Sequence, residues 1–192
     1  MKKAAIILLV LVAALSCTGM WLMYRWYEAR LAEPERAAFV IADKGTMRLK
    51  VYDADGGCMA DFPMACGRNY GNKRAPGDNR TPEGVFRISD IQNSSGWTHD
   101  FNDGKGEVAG AYGGWFLRLE TGPHKGIGIH GTHAPESLGR RATEGCIRLA
   151  NSDIDSLRRL AYCGLNVIIL PSRQDILTDS TAADSVQLGE AQ

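Results

Sequence analysis

Gly126-Ile127-Gly128-Ile129-His130-Gly131-Thr132, followed after a loop by Thr143-Glu144-Gly145-Cys146-Ile147-Arg148-Leu149, holds two short apolar runs, each meeting a reactive side chain beside a glycine. Short apolar runs bounded by turn residues read as buried strands. His130 closes the first run and Cys146 opens the second, and a rigid sheet presents reactive groups at its rim in this way. Trp115-Phe116-Leu117-Arg118-Leu119, just upstream, reads as the strand next to Gly126-Ile127-Gly128-Ile129 in a core sheet.

The rest of the chain extends that sheet. Phe39-Val40-Ile41 is a short strand, and Met47, Leu49 and Val51 alternate with Arg48, Lys50 and Tyr52 as in a half-buried strand. Asp53-Ala54-Asp55-Gly56-Gly57 reads as a hairpin turn, with one strand from about Cys58 to Cys66 after it. Polar loops fill Gly67 to Pro82 and Gly96 to Gly114, on either side of a strand at Val85-Phe86-Arg87-Ile88. One helix is evident. Asn151 or Ser152 caps it, and Asp153 and Asp155 favour its positive N-terminus. Ile154, Leu157, Leu160 and Ala161 form its apolar stripe, and Gly164 stops it. Val167-Ile168-Ile169-Leu170 is a final buried strand ended by Pro171, and residues 172–192 are polar, unpatterned and expected to be disordered. The expected fold is a mainly β single domain over residues 39–171 with one or two short helices.

A thiol becomes a nucleophile when a neighbouring base or cation favours the thiolate. His130 can take the proton of Cys146 and return it to a leaving amine, provided an acceptor such as the Gly131 carbonyl orients the ring. Gly145 permits a sharp turn, and the amides of Gly145 and Cys146 are candidate oxyanion donors. Arg148 either holds a substrate carboxylate or braces the loop through backbone carbonyls. Thr143 either bonds substrate or shapes the turn. His99 and Tyr112 are candidates for lining a substrate groove, whereas His124 and His133 read as loop residues. Trp97 and Trp115 either cover that groove or pack in the core.

The chain has 192 residues and no net charge, so no basic field points to nucleic acid. Lys2 and Lys3 precede an uncharged stretch from Ala4 to Tyr24, which at helical rise spans about 30 Å. That pattern predicts a membrane anchor over residues 1–24, with the lysines cytoplasmic and a linker over residues 25–38. A signal peptide, or a lipoprotein cleaved before Cys17, fits the same stretch, and each route exports the domain. Of the five cysteines, Cys58 and Cys66 are too far apart along one strand to pair, whereas either could bridge to Cys163 or stay a buried free thiol.

Taken jointly, His130-Gly131-Thr132 and Thr143-Glu144-Gly145-Cys146-Ile147-Arg148 resemble the signature of the L,D-transpeptidase catalytic domain family, called YkuD. Leu49-Lys50-Val51-Tyr52, Arg80-Thr81-Pro82-Glu83-Gly84-Val85-Phe86-Arg87-Ile88 and Ala111-Tyr112-Gly113-Gly114-Trp115-Phe116 resemble further elements of it. The resemblance implies a β-rich fold and a peptidoglycan acyl transfer without cofactor or metal. Cys146 would attack the third residue of a tetrapeptide stem, expel terminal D-alanine and pass the acyl group to an amine of a second stem or of a wall-attached lipoprotein. It further implies His130 as base, the Gly131 carbonyl as its orienting group, Gly145 in the catalytic turn, and Arg148, Thr143 and Thr132 on the substrate side, in a domain held outside the cytoplasm at the inner membrane. Many members carry His where this chain has Glu144, which is expected to face solvent or the acceptor's amine. The same thioester meeting water would give a carboxypeptidase or amidase. His130, His133 and Cys146 as metal ligands, or an inactive wall-binding module, are the remaining readings.

Overall fold

The computed structural model describes residues 2–31, 36–101, 104 and 106–189. The chain divides into two compact units, Met1–Glu35 and Arg36–Gln192. The first is one helix, α1 (Lys2–Leu31), within which the Ser16 and Thr18 hydroxyls bond back to the carbonyls of Val12 and Ala14. The apolar stretch passes through Ser16-Cys17-Thr18-Gly19, and the helix continues past Arg25 and Glu28. Among the described residues no helix is long and apolar enough to cross a membrane, and the transmembrane anchor expected over residues 1–24 is not shown as an apolar span.

The second unit is built on strands β1 (Phe39–Asp43), β2 (Arg48–Tyr52), β3 (Cys58–Pro63), β4 (Cys66–Gly67), β5 (Gly84–Asn93), β6 (Thr98–Asp100), β7 (Glu107–Ala109), β8 (Trp115–Leu119), β9 (Gly128–His130), β10 (Arg141–Thr143), β11 (Ile147–Arg148) and β12 (Asn166–Leu170). Helix α2 (Asn151–Leu160) precedes β12, and α3 (Arg173–Gly189) follows it. Eight strands form one sheet in the order β11-β9-β8-β5-β12-β1-β2-β3, while β10 pairs with β4 and β6 with β7 in two small sheets.

The expected alternation puts Val40, Ala42, Leu49 and Val51 inside, fully removed from solvent. They join Leu117, Ile129, Ile147, Val167 and Ile169 from the other strands, Leu149 just after β11, and Ile154 and Leu157 from the inner face of α2. Each such side chain contributes about 1.5–3 kcal/mol on burial. Helix α2 packs on β8 and β9, so the strand carrying His130 is backed by a rigid element.

The structure departs from the sequence reading at four places. The run from Cys58 to Cys66 is two strands, because the chain leaves β2 after Pro63 and Ala65 instead exchanges backbone hydrogen bonds with Arg148. All five cysteines are free thiols, as one of the two readings had it, but Cys58 and Cys163 are exposed instead of buried. Asn151 does not cap α2. Its side-chain oxygen accepts from the Thr132 amide at 2.8 Å and its nitrogen donates to the Thr132 carbonyl at 3.0 Å, so it ties the segment after His130 to the helix start.

The fourth departure is the tail expected to be disordered, whose residues 173–189 form α3. An ionic network anchors this helix in place of an apolar stripe. Asp175 is fully buried and contacts Lys44 at 3.2 Å and Arg141 at 2.6 Å, and it accepts from the Gly71 amide at 2.7 Å. Asp179 accepts from the Asn72 amide and the Arg74 guanidinium. The helix is thereby fastened to the loop between β4 and β5. The domain also begins slightly earlier than expected, since Ala37 is buried and its amide donates to the Leu160 carbonyl.

Candidate active site

Strands β9 and β11 run parallel, with Ile147 opposite Ile129 and Arg148 opposite His130. The same register carries Cys146 to the level of Gly128. Alternate residues of a strand share a face, and residues paired across strands share it too. Cys146, His130 and Arg148 therefore point to one side of the sheet, and all three line a cleft of about 540 Å³.

His130 is 3% exposed. Its Nδ1 lies 2.6 Å from the Gly131 carbonyl oxygen, which can only accept, so Nδ1 bears the proton and Nε2 is the basic nitrogen. The ring stacks on Phe116 at 5.6 Å and meets the edge of Tyr112 at 5.0 Å. Burial drives the imidazole pKa down to about 3, outweighing the Gly131 carbonyl, which favours the charged form. Gly131 has no room for a side chain, because a Cβ there would run into the Asn151 amide and Gly113.

Cys146 donates its S–H toward the Gly126 carbonyl at 3.5 Å. Burial raises the thiol to about 11, against the opposing influence of the Gly128 amide, Arg148 and Lys73. Both shifts favour the neutral thiol and the neutral imidazole. Charge separation between them would need an electrophile that takes the sulfur's electrons as Nε2 takes its proton.

The turn before Cys146 is closed by Thr143, whose hydroxyl accepts from the Gly145 amide at 3.2 Å and donates to the Cys146 carbonyl at 2.6 Å. Thr143 is 3% exposed, which matches the turn-shaping alternative. The Gly145 amide faces this hydroxyl, so the Cys146 amide is the turn's remaining candidate oxyanion donor. Gly145 has φ +137°, and a Cβ there would lie 2.8 Å from the Arg80 carbonyl oxygen. Thr132 is buried, accepts from the Ala134 amide at 2.8 Å and does not line the cleft.

Arg148 donates to the Ser137 hydroxyl at 2.9 Å instead of to backbone carbonyls, and its Nε is buried without a partner. Glu144 does not face solvent freely: its carboxylate lies 3.0 Å from His99 Nε2, and His99 Nδ1 lies 2.9 Å from the Tyr112 hydroxyl. His99 and Tyr112 both line the cleft, and Trp97 packs against Tyr112 and Phe116. His133 contacts the Ala111 carbonyl, and no cluster of metal-ligating side chains occurs among the described residues. Sequence reasoning missed Lys73, which lines the cleft from the β4–β5 loop and is held by Asp78 at 2.7 Å. A lysine in a polar loop carries no sequence signal, since only tertiary folding brings it near Gly145.

The family model for the L,D-transpeptidase catalytic domain matches residues 37–169, which span the whole sheet and this cleft. The chain belongs to that family. It is 29% identical over 123 residues to the L,D-transpeptidase YkuD of Bacillus licheniformis, covering 64% of this chain and 59% of the relative. It is 30% identical over 111 residues to YkuD of Bacillus subtilis, covering 58% of this chain and 53% of the relative. The chain thus spans little more than half the length of these curated relatives. In fold, this L,D-transpeptidase domain is similar to L,D-transpeptidase 3 from Mycobacterium tuberculosis in complex with a faropenem-derived adduct, at TM-score 0.54 and 18% identity over 70% of this chain and 60% of that one.

Proposed function

We propose that this chain is a peptidoglycan acyltransferase that works through a thioester on Cys146. The observation that carries the reading is the placement of Cys146 and His130 on one face of neighbouring strands, in one cleft, with His130 Nδ1 held by Gly131. Sγ attacks the carbonyl of the third residue of a tetrapeptide stem while its proton passes to Nε2. That proton then leaves on the amine of terminal D-alanine. An amine of a second stem, or of an envelope lipoprotein, takes the acyl group and frees the thiol. Among the described residues, the cations Arg68, Lys73, Lys125 and Arg148 line the cleft beside one carboxylate, Glu144, which suits a ligand rich in carboxylates. The reaction belongs where the wall is, so the catalytic unit acts in the cell envelope outside the cytoplasm.

Purified protein incubated with a tetrapeptide muropeptide should release D-alanine and form cross-linked dimers, whereas tripeptide alone would identify water as the acceptor. Faropenem, from which the adduct in the Mycobacterium tuberculosis relative derives, should leave a covalent mass increment on Cys146. Cys146→Ala should remove both signals while the protein stays folded. Normal turnover by Cys146→Ala would reject the reading.

A further inference from the structure

A chain of hydrogen-bonded groups, Glu144, His99 and Tyr112, shares the cleft with His130. Glu144, immediately before Gly145-Cys146, holds His99 from the β6–β7 hairpin, and His99 holds the hydroxyl of Tyr112. A carboxylate only accepts, so the Nε2 of neutral His99 carries the proton toward Glu144, and Nδ1 offers its lone pair to the Tyr112 O–H. The phenol oxygen keeps its own lone pairs for the cleft that it shares with Cys146 and His130. A hydroxyl donating to an imidazole that is oriented by a carboxylate is the arrangement by which triad enzymes move a proton off a hydroxyl. Here the hydroxyl is a phenol whose pKa is raised by burial and by the neighbouring Cys146 and Glu144, so it relays a proton without remaining ionised.

Proton balance shows where a second relay is needed. An acceptor ammonium reaching the thioester loses two protons to become an amide nitrogen, and the sulfur regains only one, by way of His130. Water loses one proton to the same route and needs no further base. We propose that Tyr112, positioned by His99 and Glu144, is the general base that deprotonates the acceptor amine in the second half of the reaction. This inference rests on the thioester reading of Cys146. The amine N–H proton passes to the Tyr112 oxygen as the Tyr112 proton passes to His99 Nδ1. The imidazolium so formed lies against the Glu144 carboxylate and later releases its proton to solvent. The freed nitrogen lone pair attacks the thioester carbonyl, the nitrogen's second proton passes to His130 Nε2, the C–S bond breaks, and the thiolate takes that proton from Nε2. Tyr112 is then a catalytic residue, and His99 and Glu144 are positioning residues. His99 supplies the imidazole of this pair from another strand.

The test separates the half-reactions in the full-length protein. Acylation of Cys146 by a tetrapeptide stem is followed by mass spectrometry, and the acyl-enzyme is partitioned between water, an alkylamine acceptor and hydroxylamine, which is already neutral at pH 7. Tyr112→Phe should lose alkylamine aminolysis on the order of 100-fold more than it loses acylation or hydrolysis, a typical deficit for a missing general base. His99→Gln and Glu144→Gln should lose roughly 10-fold in the same step only. Hydroxylamine should restore transfer in all three variants, which a merely distorted site would not permit. Equal loss of acylation, hydrolysis and both transfers would overturn the inference, as would unchanged aminolysis by Tyr112→Phe. A wild type that acylates but never transfers to amines would overturn it while leaving the thioester intact. Absence of any acyl-enzyme on wild-type Cys146 would remove the underlying reading as well.

Discussion

Replacing Asp175 with asparagine is expected to destabilise the catalytic unit by about 3–5 kcal/mol, the usual cost of breaking a buried ion pair from one side. The carboxylate is fully buried and satisfies five donors: Oδ1 accepts from the Gly71 amide and contacts Lys44, while Oδ2 accepts from the Ser172 amide, the Ser172 hydroxyl and Arg141. Asparagine offers one oxygen and turns an NH2 toward the remaining donors, and the Lys44 ammonium, itself fully buried, keeps only Glu83 as a counter-charge. For a unit of this size the loss corresponds to a fall in Tm of about 10 °C at pH 7, read by calorimetry. The pH dependence is a second readout. The hydrogen bonds of Ser172 and Gly71, together with Lys44, outweigh desolvation and hold the Asp175 carboxyl down at about 2. Its stabilisation is therefore complete above the unfolded-state value of about 4 and is lost as pH falls through about 2, so the wild-type advantage should shrink by about 2 kcal/mol over that interval. A variant melting within 2 °C of wild type at neutral pH, roughly 1 kcal/mol or less, would refute the argument that this network anchors α3.

Alkylation of Cys146 by iodoacetamide should be slow at pH 7 and climb tenfold per pH unit toward its pKa of about 11, because burial keeps the thiol protonated; a plateau below pH 8 would mean a resting thiolate–imidazolium pair. Gly145→Ala should reduce acylation by more than 100-fold in a stopped-assay comparison, since the new Cβ meets the Arg80 carbonyl at 2.8 Å in a backbone conformation that side chains avoid; near-normal rates would show that the turn adapts. His130→Ala should lose most turnover and keep a wild-type circular dichroism spectrum, and failure of that variant to fold would assign the ring to packing on Phe116 instead. Removing residues 1–35 should leave a soluble and active unit, because Ala37 is the first described residue that packs in the core; an inert product would place a needed contact upstream.

The sheet was legible in the sequence wherever burial follows a local period. Leu49 and Val51, or Leu117 and Ile129, announce their strands because a single buried face dictates residue choice along each one. The placement of His130 and Cys146 in one cleft was legible for a related reason: glycines and apolar residues next to them are imposed by the short parallel strands that present them. What escaped was fixed by distant partners. The break after Pro63 depends on Ala65 finding Arg148, and α3 exposes Ile176 and Leu177 while its anchor, Asp175, meets Lys44 and Arg141 from far upstream. Glu144 looked solvent-bound because its partner, His99, lies 45 residues earlier on a hairpin inside what read as a loop. Asn151 resembled a helix cap by position, but the Thr132 backbone competes for the same amide.

The fastening of α3 to the β4–β5 loop sets a practical limit on how the gene can be trimmed. The family match stops at residue 169, and a clone ended there would seem complete by homology. It would lack Asp175 and Asp179, the two carboxylates that grip Gly71, Asn72 and Arg74, in the segment from which Lys73 reaches the cleft. Such a truncated product would keep both reacting groups yet lose the brace on one wall, and its weak activity would be blamed on the chemistry when the fault lay in the missing helix.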